Sequence, residues 1–280
     1  MAQIRKIKRW IPAMPTQDGD GVKIFRVAGR QYNEDLDPYL LVDELRSDDS
    51  KDYIGGFPPH PHRGFETLTY MKEGFVRHRD HMGNEDVIGP GELQWMTAGR
   101  GVVHSEMPEQ EEGLFHGFQI WLNLPAKEKM KAAAYRDIRQ TDTPKYSSSE
   151  KVQVTSIAGN VEIEGESISG PIQGLSTQPI YLDLEMPANS NIEINVPGDV
   201  RLLFYVYDGE VSGITSPSLG VMDDEGDRLK FTAGSEGSRL LVFGGKPLKE
   251  PVVQHGPFVM NTHNEINQAI TDYQSGVLTD

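Results

Sequence analysis

Two pairs of residues with metal-ligating side chains share one spacing in this chain. His60 and His62 lie two positions apart in PPHPHRG, and His104 and Glu106 are spaced in the same way in HSE. In an extended strand, residues i and i+2 point to the same face, so each pair presents its side chains together. If the two strands face each other, three imidazoles and a carboxylate converge. Such a donor set suits a borderline divalent metal and leaves positions open for a substrate.

The distribution of histidines restricts where such a site can be. Six of the eight histidines fall between residues 60 and 116, and none falls between Gly117 and Gln254. We therefore expect a single metal site in the first half of the chain. Glu66 shares the face of His60 and His62 if their strand continues unbroken, so spacing alone leaves the carboxylate open between Glu66 and Glu106.

For most of the other polar residues near these pairs, we expect structural or surface roles. His78 and His81 lie in the polar, hairpin-like stretch VRHRDHMGNED, and we expect surface or structural positions for both. His116 precedes an apolar strand, where it either lines a cavity mouth or is structural. Asp43 and Glu44 are expected to be solvated or to cap an element rather than to bind a second metal.

The surrounding sequence predicts an all-β protein with two domains. Short β-branched and aromatic runs bounded by Gly, Pro, Asn and Asp recur through residues 20 to 124 and again through 151 to 250. The stretch 126 to 150 begins Ala/Lys-rich, which predicts a helical start to an interdomain connection. Thr262 followed by Glu265 forms a capping box, which predicts a short C-terminal helix. We place the domains at residues 1–135 and 136–280.

An internal repeat supports two copies of one β-domain. At an offset of 135 residues, YMKEGFV aligns with YVYDGEV, which pairs Tyr70 with Tyr205 and Gly74 with Gly209. The same offset pairs the TAG that starts at Thr97 with a second TAG further along. The two copies are expected to share a fold but not a metal site, because the second copy has no histidine in its strands.

Composition excludes several classes of function. The chain of 280 residues has no cysteine, which excludes disulfides, thiolate nucleophiles and Cys-ligated metal centres. Its net charge of -15 disfavours direct binding of nucleic acid. The chain has no apolar run of the roughly 18 to 20 residues that a spanning helix needs. The basic start MAQIRKIKRWIPAMP lacks the apolar segment of a secretory signal. We expect a cytoplasmic protein without a membrane partner.

Four motifs resemble a known family. HPHRGFETLTYMKEG resembles the first conserved motif of the cupins, and PGELQWMTAGRGVVHSEMP, GFQIWLNLP and VVQHGPFVMNT are similar to segments of the pirin family. The resemblance implies a bicupin, that is, two tandem antiparallel β-barrels of the cupin or jelly-roll type, with the metal in the N-terminal one. In a cupin barrel, Trp95, Met96, Phe118 and Trp121 are expected to be core residues, with one or two bordering the cavity.

The resemblance also implies a ligand set and a metal. Matched residue by residue, the ligands are His60, His62, His104 and Glu106, while Glu66 falls to the cavity wall or to the residues behind the ligands. The expected cofactor is one divalent transition metal, with Fe(II) preferred. Mn, Ni, Co, Cu and Zn are compatible with the same donors.

For function, the resemblance implies a metal-dependent dioxygenase of the quercetin 2,3-dioxygenase type. Its substrates would be a flavonol-like phenol and O2, with Glu106 as the base that takes the 3-hydroxyl proton. The alternative is a non-enzymatic, iron-binding regulatory protein that acts on a transcriptional or metabolic partner through protein contact. A metal-free storage bicupin fits the intact ligand set less well. We expect a monomer or a weak dimer, since the surface charge opposes self-association.

Overall fold

The computed structural model describes residues 3–280. As predicted, the chain is all-β with a short C-terminal helix. The first twelve strands are β1 (Ile7–Pro12), β2 (Met14–Asp18), β3 (Val22–Ala28), β4 (Tyr39–Ser47), β5 (Phe57–His62), β6 (Phe65–Glu73), β7 (Val76–Asp80), β8 (Glu85–Ile88), β9 (Leu93–Thr97), β10 (Val102–Pro108), β11 (Phe115–Asn123) and β12 (Ala134–Ile138).

The remaining strands are β13 (Lys145–Ser147), β14 (Gln153–Ala158), β15 (Asn160–Ile163), β16 (Glu166–Ser169), β17 (Ile180–Met186), β18 (Asn191–Asn195), β19 (Arg201–Val211), β20 (Ile214–Thr215), β21 (Ser218–Met222), β22 (Arg228–Gly245), β23 (Val253–His255) and β24 (Phe258–Met260). The helices are α1 (Asn33–Leu36) and α2 (His263–Gln274), with short 3-10 turns at Arg30–Tyr32, Ser50–Asp52, Ala126–Glu128 and Gln140–Asp142. Within residues 3–280, every helix is too short or too polar to cross a bilayer.

The strands form two compact units that are discontinuous in sequence. Among the described residues, one unit contains residues 14–34, 39–140 and 248–280, and the other contains residues 3–13, 35–38 and 141–247. We call them the histidine unit and the second unit. The C-terminal residues 248–280 thus group with the first half of the chain. The boundary between the two cupin domains stays a prediction, with one domain at residues 1–135 and the other at 136–280.

The histidine unit contains two main sheets. A seven-stranded sheet runs β12-β9-β6-β11-β4-β3-β2, and a four-stranded sheet runs β5-β10-β7-β8. Each path has two end strands, so these sheets are open rather than closed barrels. One apolar core of this unit includes Val22, Leu45, Met71, Val76 and Phe115.

The second unit repeats the order of the larger sheet. Its main path runs β1-β21-β19-β22-β17-β14-β13, around a core of Val, Ile, Leu and Phe side chains. By position along the two paths, β19 corresponds to β6, which agrees with the predicted match of Tyr205 with Tyr70. The glycines paired by the repeat, Gly74 and Gly209, both have positive φ, at 80° and 70°. Both are in a conformation that favours glycine.

The second part of the repeat alignment is wrong. Thr97 ends β9, whose counterpart by sheet order is β21, whereas Thr232 lies inside β22. The offset of 135 therefore holds only around β6 and β19. The two TAG sequences occupy different structural positions.

The predicted helix at the start of the connection is also wrong. Ala126–Glu128 form only a 3-10 turn, and Ala134–Ile138 form β12, paired along its whole length with β9. Most of the Ala/Lys-rich run forms turns, and only its end joins β12, so helix propensity alone does not produce a helix here. The C-terminal helix is confirmed, with Thr262 accepting a hydrogen bond from the Glu265 backbone N–H in a complete capping box.

Candidate metal centre

The four-stranded sheet brings the two predicted pairs together. β5 and β10 are antiparallel neighbours, and His104 lies directly opposite His60 in their register. Between His104 and Glu106 the register shifts, so Glu106 lies opposite Phe57. Such a bulge turns side chains out of the regular alternation of a strand. β7 flanks β10 on its other side and places His78 opposite Glu106.

Three histidine rings form a compact cluster. Ring centroids are 4.7 Å apart for His60 and His62, 4.4 Å for His60 and His104, and 4.9 Å for His62 and His104. One nitrogen from each ring lies within 4.8 Å of the other two. His62 and His104 are buried and His60 is half-buried. Among residues 3–280 this is the group of His and acidic side chains whose donor atoms meet closely enough to hold a metal.

The hydrogen bonds of these rings leave unprotonated nitrogens facing one another. His60 Nδ1 donates to the Pro58 carbonyl at 2.8 Å, and His62 Nδ1 faces the Pro257 carbonyl at 3.4 Å. Because a carbonyl oxygen only accepts, the neutral rings carry their hydrogen on Nδ1 and present a lone pair at Nε2. These two Nε2 atoms are 3.1 Å apart. A metal ion bound to both Nε2 atoms would remove the repulsion between their lone pairs.

His104 supplies a further indication that the residues fit a metal. Its Nε2 atom is buried and has no hydrogen-bond partner, while its Nδ1 atom bonds to His78. A buried polar atom without a partner is costly, and buried groups of this kind are normally satisfied. A metal ion at the centre of the cluster would satisfy it. The donor set of three imidazoles therefore fits a borderline divalent ion.

Burial keeps two rings of the cluster, His62 and His104, uncharged. Desolvation, followed by the neighbouring His60, holds the pKa of His62 well below its ordinary value. Burial and the surrounding imidazoles lower the pKa of His104 in the same way. Both rings are therefore neutral at pH 7 and available as ligands without first losing a proton.

Glu106 is buried, but it is not among the side chains whose donor atoms meet in the cluster, and its carboxylate has other partners. Its carboxylate accepts hydrogen bonds from Thr69 Oγ1 at 2.7 Å and from Gln119 Nε2 at 2.9 and 3.1 Å. Neutral donors thus hold the carboxylate in place beside the histidines. Its assignment as fourth ligand stays a prediction.

Glu66 lies in a different sheet from His60 and His62. β5 ends at His62, Gly64 adopts a φ of 92°, and the chain re-enters as β6 in the seven-stranded sheet. A Cβ atom at Gly64 would lie 2.0 Å from the Val259 carbonyl oxygen, so this turn requires glycine.

The buried Glu66 carboxylate is held by donors of its own sheet and by Lys131, whose Nζ lies 3.3 Å from it. It accepts hydrogen bonds from Trp95 Nε1 at 3.0 Å and Thr97 Oγ1 at 2.7 Å. It therefore stabilises the sheet behind the cluster.

His78 contacts the cluster, although the sequence predicts only a surface or structural position for it. His78 is buried, and its Nε2 atom is 2.9 Å from His104 Nδ1. If His104 presents its lone pair at Nε2, its Nδ1–H donates to His78, which fixes the ring's tautomer and orientation. The alternation of Val76 and His78 on one face of a strand was the available signal, since Val76 is a core residue.

The expectation that Asp43 and Glu44 are solvated is wrong. Both are buried, because β4 is an interior strand paired with β3 and β11. Asp43 accepts two hydrogen bonds from Arg26, at 2.7 and 2.6 Å, and burial raises its pKa to about 6. Glu44 accepts a hydrogen bond of 2.9 Å from His116, which is buried as well. His116 is therefore structural.

A cavity of about 780 Å³ opens beside the cluster; we call it the open cavity. His60, His62, Glu106, Gln119 and Trp121 are among its lining residues. The half-buried Trp121 ring stands edge-on to His62, with centroids 5.4 Å apart. Trp95, Met96 and Phe118 are buried, as expected for core residues. The volume lies within the roughly 300 to 1,000 Å³ that is usual for pockets binding small organic ligands.

The C-terminal segment supports the strand that carries the histidines. Arg63, next to His62, is buried and donates to Asp272 of α2 at 2.6 Å, and to the backbone carbonyls of Arg100 and Leu278. Lys129 donates to the Gly64 carbonyl at 2.7 Å and the Val259 carbonyl at 3.0 Å. Residues 248–280 thus help to position His62.

Comparison with known proteins agrees with this arrangement. The sequence profile of the family described as Pirin matches residues 21–122, and that of the Pirin C-terminal cupin domain matches residues 181–279. A Pseudomonas aeruginosa protein named "Putative quercetin 2,3-dioxygenase" is 45% identical, with 99% of each chain covered. A Vibrio cholerae protein with the same descriptive name is 46% identical, covering 99% of this chain and 98% of its own.

A solved structure shows the same fold over the whole chain. The crystal structure of quercetin 2,3-dioxygenase from Acinetobacter baumannii aligns with a TM-score of 0.89 at 29% identity and covers 99% of each chain. Profiles, relatives and fold all point to the same assignment. The chain is a member of the pirin family, with two cupin domains and a group of three histidines in the histidine unit.

Proposed function

We propose that this protein is a metal-dependent dioxygenase that opens the ring of a flavonol such as quercetin with O2. The observation that carries the proposal is the cluster of His60, His62 and His104, whose unprotonated nitrogens meet beside the open cavity. The names given to the relatives and to the protein of the aligned crystal structure support this reaction class.

His60, His62 and His104 would hold the metal through Nε2, with Glu106 as the predicted fourth ligand. Fe(II) is the preferred ion, and Mn, Ni, Co, Cu or Zn would suit the same donors. A bound metal would supply Lewis acidity toward an enolate oxygen and a redox path between that enolate and O2. With three or four protein ligands, the metal would keep positions free for small molecules.

The protein's own residues would bind and activate the substrate. Trp121 offers an aromatic edge and face at the cavity wall, which suits a planar phenol. Glu106 would take the 3-hydroxyl proton of the flavonol onto a carboxylate oxygen, and this transfer creates the anion that reacts. Gln119 and Thr69 would keep that carboxylate aimed, because both donate to it. Ring opening would insert both atoms of O2 and release carbon monoxide.

Oxygen uptake with quercetin tests the proposal. Protein loaded separately with Fe(II), Mn(II), Ni(II) or Co(II) should consume O2 when quercetin is added, and His62→Ala should not, because it loses the metal. His81→Ala is the matched control, since His81 is an exposed histidine outside the cluster. If the wild type consumes no O2 with any loaded metal, the non-enzymatic regulatory function is favoured instead.

A further inference from the structure

A second cavity lies in the core of the histidine unit; we call it the inner cavity. Its volume is about 30 Å³. Most of its lining is apolar, and the main contributors are Val22, Leu45, Met71, Val76, Phe115 and Phe118.

The polar residues of the lining already have partners. Thr69 and Gln119 both donate to Glu106, and the Tyr53 hydroxyl donates to the Gly113 carbonyl at 2.9 Å. A buried water needs about two to four hydrogen bonds, and apolar cavities without them stay dry. The inner cavity therefore favours an apolar occupant over water.

Size restricts that occupant further. One water-sized sphere takes roughly 10 to 15 Å³, whereas an apolar cavity that accepts benzene measures about 150 Å³. At about 30 Å³ the inner cavity has room for a diatomic molecule and none for an aromatic ring. This excludes the flavonol itself.

The inner cavity shares a wall with the open cavity. Phe57, Glu106 and Gln119 line both. An apolar molecule in the inner cavity would therefore lie behind Glu106, one side-chain layer from the open cavity that His60 and His62 line.

We propose that the inner cavity is a binding site for molecular oxygen. The general property, affinity for a small apolar gas, follows from lining and size alone, and the choice of O2 rests on the proposed dioxygenase function. O2 held there is concentrated next to the reacting centre without competing with the flavonol for the open cavity.

Crystals of the protein pressurised with krypton test the site without any turnover. An anomalous peak is expected between Met71, Val76 and Phe115. Val76→Ile should remove the peak, because its extra methyl group fills the cavity. Val27→Ile, a matched change at a buried valine of β3 that lines neither cavity, should keep it. Ordered water in the inner cavity, or no krypton peak there, would overturn the proposal.

Steady-state kinetics test whether the molecule that binds in the inner cavity is O2. In the active protein, Val76→Ile should raise KM for O2 at least about threefold, with KM for quercetin and bound metal unchanged. Val27→Ile should change neither constant. An unaltered KM for O2 in a Val76→Ile protein that no longer binds krypton would overturn the assignment to O2. A wild type that binds krypton but never oxidises quercetin would overturn the proposed function and leave a gas site.

Discussion

At the scale of single residues, substitution of Glu106 should separate metal binding from substrate activation. Glu106→Gln should retain most of the bound metal, because three imidazoles remain. It should lose flavonol turnover by about two to four orders of magnitude, the usual contribution of a positioned general base. Glu112→Gln, at an exposed carboxylate beyond the end of the same strand, should behave as wild type. Full activity of Glu106→Gln at equal metal content would contradict the base assignment.

His78 is the residue expected to control the orientation of His104. His78→Leu removes the acceptor for His104 Nδ1–H and should weaken metal affinity by about 10- to 100-fold. His78→Gln, whose amide oxygen can still accept, should recover most of that loss. His81→Gln is the control for a histidine of similar sequence position but exposed. Calorimetric titration with Co(II) and the visible spectrum of the bound ion report the effect without turnover. Equal affinities in all three variants would contradict it.

The part of the site that depends on local spacing was predictable from sequence. The i, i+2 spacing predicts that His60 and His62 share a face, because alternation along a strand is a local property. The structure brings both rings together with His104 through the pairing of β5 and β10, and their role as metal ligands stays a prediction. The partners of Glu106 were not predictable. Thr69 and Gln119 lie 37 and 13 residues from it in the chain, and only sheet pairing brings them close.

At the scale of elements, the contact between α2 and the turn after β5 should contribute to stability. Asp272→Asn leaves the buried Arg63 guanidinium without its anionic partner and should cost about 1 kcal/mol or more of unfolding free energy at pH 7. Asp280→Asn, at the exposed end of the chain, is the matched control. Thermal or urea unfolding measures both.

The stabilisation that the Arg63–Asp272 ion pair provides should depend on pH. The Arg63 guanidinium, followed by Gln268, lowers the pKa of Asp272 below its ordinary value. A lowered carboxyl pKa stabilises the fold above its unfolded value of about 4, and this contribution disappears as pH falls through the folded value. The stability difference between wild type and Asp272→Asn should therefore shrink below about pH 4. A difference that stays constant down to pH 2 would show that Asp272 acts otherwise.

Sequence patterns predicted the types of most elements but not their pairing. The capping box of α2 depends on residues three apart, and it was found. The predicted helical start at residue 126 is wrong, and β12, which follows it, is extended because it pairs with β9, about 40 residues earlier in the chain. The repeat holds where β6 and β19 align. It fails further along because β7 and β8 lie between β6 and β9, whereas only the short β20 lies between β19 and β21.

At the scale of the whole molecule, residues 248–280 belong to the histidine unit although they follow the second unit in sequence. Pro257 contacts His62, Val259 accepts from Lys129, and Asp272 binds Arg63. Contacts between residues 130 to 209 positions apart leave no periodic signal in one sequence. The metal-binding property of the first half of the chain is therefore expected to require the last 33 residues.

Elemental analysis of metal per chain tests the central claim most directly. Protein purified without chelator or affinity metal and then titrated with Fe(II) or Co(II) should bind one equivalent, because the described metal-competent group is His60, His62 and His104. The double variant His62→Ala/His104→Ala should bind none while keeping the wild-type circular dichroism spectrum. One tightly bound equivalent in that folded double variant, or none in the wild type, would contradict the account.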